Sequence, residues 1–203
     1  KAFMTRYPHI QVELEEQQSI DVIRQLQTGQ ADIGIFDWHQ PMPGLVVSAY
    51  HHDSLVLVMP IGHPLRTRKD IAFVETLDQD HVCLPQGTAA RTMMELTASG
   101  AGRAMRVRMQ VKGFDGICRM AAAGVGLGIV PTSAAADHIR LGRVHAVPLK
   151  DEWAARTLKV ALPSQRCPTG GTTELLNHLK SCAAELALQL GRRGRRSAKQ
   201  AST

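Results

Sequence analysis

Short apolar segments of strand length alternate with helical patterns along almost the whole chain of 203 residues. Strands carry apolar side chains at every second position or in a short continuous run, whereas amphipathic helices carry them three and four residues apart. Alternation of the two patterns favours parallel strands covered on both faces by the helices that connect them. The sequence therefore predicts an α/β fold.

The predicted elements are distributed over the whole chain. Strands are expected over residues 11–15, 31–36, 45–50, 55–60, 81–84, 107–111, 127–130, 144–149 and 158–162. Helices are expected to begin at side chains that can cap a first turn, namely Ser19, Thr88, Asp115 and Thr172 or Thr173. Gly29 and Gly191 are predicted to end the first and the last of them. Strand–helix–strand runs occur on both sides of a turn at 60–64, which predicts two sheets joined by crossing strands.

The composition is typical of a globular domain that does not enter a membrane. Apolar residues make up 44% of the chain and charged residues 21%, as in folded soluble domains. No apolar run approaches the ~20 residues that span a bilayer. The four cysteines form no C-x-x-C pair and fit a reducing compartment. We therefore predict a cytoplasmic location.

The positive charge is concentrated at the C-terminal end. Residues 191–203 carry five Lys or Arg side chains and no acid, and without them the net charge falls from +6 to +1. We interpret this segment as a solvated, disordered tail. The alternative is a basic arm that contacts DNA phosphates.

Several segments, taken in order, resemble the effector-binding domain of LysR-type transcriptional regulators. The resemblance covers about residues 3 to 188, and it depends on the order and spacing of the motifs more than on any one of them. The matching segments are Phe3 with Tyr7-Pro8, Leu26-x-x-Gly29-x-Ala31-Asp32-Ile33-Gly34-Ile35, Leu55 to Pro60 with His63-Pro64-Leu65, Gly87-x-x-x-Arg91, and Ala122 to Pro131.

This resemblance implies a type 2 periplasmic-binding-protein-like fold, with two Rossmann-like lobes joined by crossing strands. Lobe I would comprise residues 1–58 plus 158–190, and lobe II residues 59–157. The N-terminal winged helix-turn-helix of the family is absent from this chain, so DNA would be contacted only through that missing domain. The resemblance also implies a bacterial homodimer or homotetramer that binds a small-molecule effector.

The same resemblance implies that three turns line the effector cleft. The residues at these turns are Gln18, Ser19, Gln86, Gly87, Thr88, Phe114 and Asp115. Helix starts present free backbone N–H groups and attract anions, so the expected effector is a carboxylate or another anion. Ser19 could instead only cap its own helix, and Phe114 could belong to the core. Asp115 would be neutralised as a helix N-cap, and Arg91 would either add charge to the site or face solvent.

No cofactor, metal or catalytic group is expected. Gly124, Gly126 and Gly128 spell G-x-G-x-G, but a helix precedes them and a strand follows, which is the reverse of a dinucleotide-binding turn. They are interpreted as a helix end and a site of close backbone packing. The histidine clusters Asp37-x-His39 and His51-His52-Asp53 lack the spacing of a metal site. No nucleophile elbow occurs.

Three functions are compatible with this sequence. The favoured one is the sensor domain of a LysR-type regulator. The second is a solute-binding protein of an ABC importer, which shares the two-lobed plan but requires export. The third is an enzyme built on the same lobes, for which no catalytic constellation is visible. An upstream helix-turn-helix would identify the first, a signal peptide the second, and a turnover screen the third.

Overall fold

The computed structural model describes the backbone of residues 1–38 and 40–200, with side chains up to residue 185. The chain divides into two compact units, Lys1–His52 with Thr157–Thr203 and Asp53–Arg156. Both boundaries lie inside strands, β2 (Leu45–Met59) and β7 (Ala155–Pro163). The expected pair of crossing strands is therefore confirmed, while the assignment of regulatory lobes to 1–58 plus 158–190 and to 59–157 stays a prediction.

The first unit is built around a short antiparallel pairing. Its other elements are α1 (Ala2–Arg6), α2 (Ser19–Thr28), β1 (Gly34–Phe36) and α6 (Gly170–Gln200). Strand β1 runs antiparallel to β7, with Gly34 opposite Ala161. Helix α2 packs its apolar face onto this pair, and Ile23, Leu26, Phe36 and Ala161 form a buried cluster. The helical spacing of Ile23 and Leu26 thus buries one face of α2. Ile20, which belongs to the same apolar stripe of the sequence, is instead 50% exposed.

The second unit contains a mixed sheet. Its elements are β3 (Asp80–Cys83), α3 (Ala89–Gly100), β4 (Arg106–Gln110), α4 (Phe114–Ala122), β5 (Leu127–Pro131), α5 (Thr132–Arg140) and β6 (His145–Pro148). Strand β3 is parallel to both β4 and β5. Strand β2 is antiparallel to β5 and to β6. The expectation of purely parallel sheets is therefore wrong, because the crossing strand enters this sheet in the opposite direction.

The core of the second unit follows from the two-residue period of β2. Leu55, Leu57 and Met59 point to one face, where they pack with Met94 and Ala98 of α3. Val56 and Val58 point to the other, where the buried partners come from α4 and α5. Successive strand side chains alternate between faces, so a continuous apolar run is buried on both. Helices therefore cover both sides of the sheet, as the sequence predicts.

The three glycines before and within β5 have structural roles. Gly124 has a φ of 75° at the end of α4, in the left-handed region that glycine adopts readily. A Cβ on Gly126 would lie 2.7 Å from the backbone oxygen of Asp80, and one on Gly128 would lie 2.1 Å from Cγ2 of Ile117. The interpretation of these residues as a helix end and close-packing positions is confirmed.

Replacing Gly128 by alanine is expected to lower the free energy of unfolding by about 2 kcal/mol. The new methyl would collide with Ile117, which is fully buried in the core, and overpacking of this kind costs roughly 1–3 kcal/mol. Urea unfolding followed by circular dichroism measures the change. Gly100→Ala is the matched control, since nothing lies within 4 Å of its added Cβ. Equal stability of both variants would contradict the packing argument.

Several local expectations are wrong. Residues 11–15 form no strand, and Leu14 is 91% exposed, so the alternation there has no core to face. The segments 45–50 and 55–60 belong to one continuous strand. Helix α6 starts at Gly170 and runs past Gly191, because one glycine inside a long helix costs only about 1 kcal/mol relative to alanine. Helices α1 and α5 were not expected.

The expected tail over 191–203 stays a prediction, and residues 201–203 lie outside the described part of the chain. Among the residues described, no helix is both long enough and apolar enough to cross a lipid bilayer.

Candidate functional site

The start of α2 carries the first pair of predicted site residues. Gln18 is the N-cap, with an extended backbone at φ −70° and ψ 149°, and Ser19 is already the first helical residue. The expectation that Ser19 caps the helix is therefore wrong by one position. Neither side chain bonds to the first turn, so the first backbone N–H groups of α2 receive no side-chain cap.

The start of α3 carries the second group. Gly87 has a φ of 84°, a conformation that favours glycine and turns the chain into the helix. Thr88 is the N-cap, but its hydroxyl donates a hydrogen bond of 2.9 Å to the backbone oxygen of Pro85 and makes no cap bond. Gln86 and Gly87 are exposed. This turn thus presents uncapped N–H groups beside an accessible, glycine-containing loop.

The start of α4 carries the third pair. Its N-cap is Gly113, and Asp115 is the second residue of the helix. The expectation that Asp115 caps this helix is therefore wrong. Phe114 is half-buried and packs against the core cluster that lies between the sheet and α4. No side chain caps this helix either. The Phe114 ring therefore contributes to the core, and its remaining surface is the part accessible to a ligand.

The carboxylate of Asp115 is held by two side chains and not by the helix alone. Its Oδ1 lies 2.8 Å from Nε2 of His138, and its Oδ2 accepts a hydrogen bond of 2.7 Å from Nε of Arg119. These contacts, the hydrogen bond to His138 first, hold the pKa of Asp115 below its ordinary value. The carboxylate is thus ionised at neutral pH and already engaged.

His138 was missed by the sequence analysis. Its side chain is only 7% exposed and reaches Asp115 from α5. The segment that forms α5 follows Pro131 and is rich in alanine, which is a usable helix signal. It lacks a strong apolar stripe, and only the packing of α5 against α4 brings the two side chains together.

Within the second unit, the sheet brings two of the three turns to one edge. Helix α3 follows β3, and α4 follows the neighbouring parallel strand β4. Helix α5 follows β5, which is also parallel to β3. The carboxyl ends of parallel strands meet at the same edge, where ligands of open α/β sheets bind. Uncapped helix starts at this edge offer N–H groups and positive dipole ends to an anion.

Arg91 does not face solvent. It is 5% exposed, and its Nε donates a hydrogen bond of 2.7 Å to Oε1 of Glu95 one turn later. It lies on the inner face of α3 with Met94 and Ala98. The guanidinium is therefore a buried cation of the second unit.

Metal-ligating side chains are not clustered in the described part of the chain, where no group of three or more His, Cys, Asp or Glu residues could hold an ion. His39 of the Asp37-x-His39 pattern lies outside the described residues.

Comparison with known proteins identifies relatives of about twice the length. The chain is 24% identical over 164 residues to a protein of Cyanophora paradoxa named "Probable RuBisCO transcriptional regulator", covering 78% of this chain and 51% of that protein. It is 23% identical over 169 residues to the transcriptional dual regulator GltC of Bacillus subtilis, covering 81% and 55%. The chain thus spans about half the length of the curated relatives it matches.

Solved structures share the fold. The regulatory domain of CcmR from Synechocystis PCC6803, in complex with 2-PG, matches with a TM-score of 0.79 at 18% identity, over 90% of this chain and 88% of that one. The effector-binding domain of QuiR with shikimate matches at 0.74 and 13% identity, over 91% and 88%. That of BenM with benzoate matches at 0.71 and 18% identity, over 92% and 84%.

These likenesses confirm the type 2 periplasmic-binding-protein-like fold. A family model, described as the LysR substrate binding domain, matches residues 1–183. That range contains both units' sheets and all three helix starts described above. The chain belongs to the LysR substrate binding domain family, the effector-binding part of LysR-type transcriptional regulators.

Proposed function

We propose that this chain senses a small anionic effector for a bacterial LysR-type regulator whose DNA-binding domain lies outside it. The observation that carries the proposal is the set of uncapped helix starts, two of which meet at the carboxyl edge of the second unit's sheet. Backbone N–H groups at such positions bind oxyanions without any special side chain. The proposed site residues are Gln18 and Ser19 at α2, Gln86 to Thr88 at α3, and Phe114 and Asp115 at α4.

Ligands of the structural relatives support an anionic effector. QuiR was solved with shikimate and BenM with benzoate, and both compounds are carboxylates. Asp115 does not oppose an anion, because His138 and Arg119 engage its charge. The half-buried Phe114 ring would contact the apolar part of such a ligand.

The cellular location, the partners and the absence of catalysis are also part of the proposed function. We infer a cytoplasmic regulator that binds DNA through the domain outside this chain, self-associates as a homodimer or tetramer, and catalyses no reaction. Membership of a transcriptional-regulator family supports this set and disfavours the importer alternative.

A thermal-shift screen of small aliphatic and aromatic carboxylates is the first test. A ligand that binds only the folded chain raises the free energy of unfolding by about 2.7 kcal/mol at a hundredfold excess over its Kd. We expect at least one carboxylate to raise the melting temperature saturably, and its neutral amide analogue to do so less. A preference for neutral or cationic compounds would overturn the anionic effector.

Replacing Thr88 or Ser19 by alanine should then weaken binding of that carboxylate about tenfold, since one hydrogen bond to a charged group contributes about 1.5 kcal/mol. For Thr88, the hydroxyl must leave the Pro85 oxygen and turn to the ligand. Isothermal calorimetry measures the Kd. Thr97→Ala is the matched control, because it removes a hydroxyl from the same helix, bonded to Met93 and away from the start.

One calorimetric result would contradict a role of these hydroxyl groups in ligand binding. If Thr88→Ala, Ser19→Ala and Thr97→Ala all bind as tightly as the parent chain, the hydroxyl groups are not ligand contacts. Binding would then depend on the backbone N–H groups or on other residues.

A further inference from the structure

A stretch of the first unit, residues 11–17, belongs to no helix or strand. Its sequence nevertheless alternates like a strand, with Val12 and Leu14 next to Glu13 and Glu15, and Leu14 is 91% exposed. Within the described part of the chain, the backbone N–H and C=O groups of these residues make no hydrogen bond. The stretch, here called the acidic segment, therefore has an unpaired backbone and an uncovered leucine, as an isolated strand would.

The charge of the acidic segment is also unpaired. Glu13, Glu15 and Glu16 are all exposed, and no Lys or Arg occurs between residues 7 and 23. The carboxylate of Glu15 accepts hydrogen bonds from the side-chain amides of Gln17 and Gln25, at 2.6 and 3.2 Å, and both of these donors are neutral. The segment thus presents negative charge that no neighbouring cation in the sequence offsets.

Strand β4 (Arg106–Gln110) forms an open edge of the second unit's sheet. It pairs with β3 and with no other described strand, and all five of its residues are exposed. The outward N–H and C=O groups of such an edge form a row on which another strand can pair. Val107 and Met109 are 36% and 38% exposed, so the edge also offers apolar surface.

Two arginines give this edge a positive charge. The guanidinium groups of Arg106 and Arg108 lie 3.0 and 3.8 Å from the two carboxylate oxygens of Asp80. Both arginines therefore lie on the same side of the strand, and one carboxylate faces two cations. The two arginine side chains are 62% and 67% exposed. Pairing of β4 with a second β4 would place like charges opposite each other, which is unfavourable, whereas an acidic strand is attracted.

We propose that the acidic segment of one copy of this chain adds as a strand to the open edge of β4 in a second copy. Backbone hydrogen bonds join the two strands, as in other cases of strand addition. The acids of the segment face the two arginines, and its leucine covers the apolar side chains of the edge. This contact assigns a surface to the self-association in the proposed function and rests on that part of it, but not on the effector.

Sedimentation velocity of the complete 203-residue chain at several concentrations gives the Kd of self-association. Glu13→Arg combined with Glu15→Arg should weaken association at least about tenfold, because like charges across an interface are strongly unfavourable. Arg106→Glu combined with Arg108→Glu should do the same. An equimolar mixture of the two double variants should recover association, since each segment then meets an edge of opposite charge. The first double variant leaves the sheet untouched, so its result stands even if the second folds poorly.

Lys69→Glu is the matched control for charge reversal. Lys69 is exposed and lies two residues before Ile71, which bridges Leu149 directly after β6. Strand β6 is at the other side of the same sheet from β4. The control variant should therefore associate as the parent chain does.

Hydrogen exchange measured by mass spectrometry at low and high protein concentration locates the contact. The amides of residues 11–17 are unpaired in the single chain, so they should become protected only when copies associate. The same increase is expected at the outward amides of β4.

The proposal is overturned if the chain stays monomeric at high concentration, if it associates without protection of residues 11–17, or if the mixed double variants associate no better than either alone. Association without that protection would leave the self-association in the proposed function intact and place the contact elsewhere. A monomeric chain that still binds a carboxylate in the thermal-shift screen would contradict self-association and leave effector sensing standing.

Discussion

Replacing Arg156 by methionine is expected to lower the free energy of unfolding of the second unit by about 3–5 kcal/mol, the usual loss when one partner of a buried ion pair is removed. Arg156 and Asp53 are the last and first residues of that unit. Their side chains are 12% and 7% exposed, and Nη2 of Arg156 lies 3.2 Å from Oδ2 of Asp53. Removal of the guanidinium leaves a carboxylate in a site from which water is largely excluded.

The remaining contacts of Asp53 are insufficient to replace the arginine. Its Oδ1 accepts a hydrogen bond of 2.8 Å from the backbone N–H of Ser54, and its Oδ2 lies 3.5 Å from the Ser133 hydroxyl. Both are neutral donors. A buried carboxylate with only neutral partners is less stable than one that faces a guanidinium.

Urea unfolding measures this effect in a Trp38→Phe background, where the fluorescence of Trp153 reports the second unit alone. The double variant Asp53→Leu with Arg156→Met should recover most of the lost stability, because apolar replacement of both partners is often neutral. Arg140→Met, which breaks an exposed pair in the same unit, should change it by less than about 1 kcal/mol. A loss equally small for Arg156→Met would show that the buried pair contributes little.

Acidification from pH 7 to about pH 4 is expected to lower the free energy of unfolding by about 3 kcal/mol through the titration of His81 alone. This histidine is fully buried, and burial, partly opposed by backbone carbonyls of Arg106 and Gln79, lowers its pKa from 6.5 to about 4. Between these two pH values the histidine is protonated in the unfolded chain and neutral in the folded chain. The contribution of His81 to the free energy of unfolding is constant above about pH 6.5. It falls as the pH drops toward 4, by up to about 1.36 kcal/mol per pH unit.

Burial keeps His81 neutral, and its contact with Thr76 indicates which ring nitrogen carries the proton. The Thr76 hydroxyl donates its single proton to the backbone oxygen of Phe73 at 2.7 Å. It must therefore accept from Nε2 of His81, 3.0 Å away. The other nitrogen, Nδ1, is buried, and the backbone carbonyls of Arg106 and Gln79 only partly offset the hydration that a second proton would lose there.

Chemical unfolding at several pH values between 7 and 4 tests this prediction. His81→Gln keeps a donor for Thr76 but cannot titrate, and it should remove most of the slope in this window. His9→Gln, at an exposed position, should retain the slope of the parent chain. An unchanged slope in His81→Gln would assign the pH dependence to other groups.

The largest part of the fold could be predicted from local patterns. The run from Leu55 to Met59 alternates between two buried clusters, and helical spacing marks the inner face of α2. The close packing of Gly126 and Gly128 also follows from their position, just before and within a strand that comes directly after a helix. In each case a short segment of sequence indicates which side chains are buried, because side-chain direction repeats every 2 residues in a strand and every 3.6 in a helix.

The candidate site was predicted less completely. The three helix starts follow from capping residues and from resemblance. Thr88 is the N-cap of its helix as expected, whereas the N-caps of the other two are Gln18 and Gly113 instead of Ser19 and Asp115. Capping preferences are weak at the level of a single residue, and boundaries shift by one or two positions. The general placement of the turns was therefore accessible from sequence, while the direction of each side chain was not.

The sequence by itself determined the alternation of strands and helices, the apolar faces and the family, since each depends on local periodicity or ordered motifs. Only the tertiary structure decided that Arg91 is buried, that His138 engages Asp115, and that Asp53 faces a guanidinium 103 residues away. The residues next to a charged residue in the sequence do not reveal which distant side chain it will contact. Its burial depends on long-range packing, which brings opposite charges together in a medium where an unpaired charge is costly.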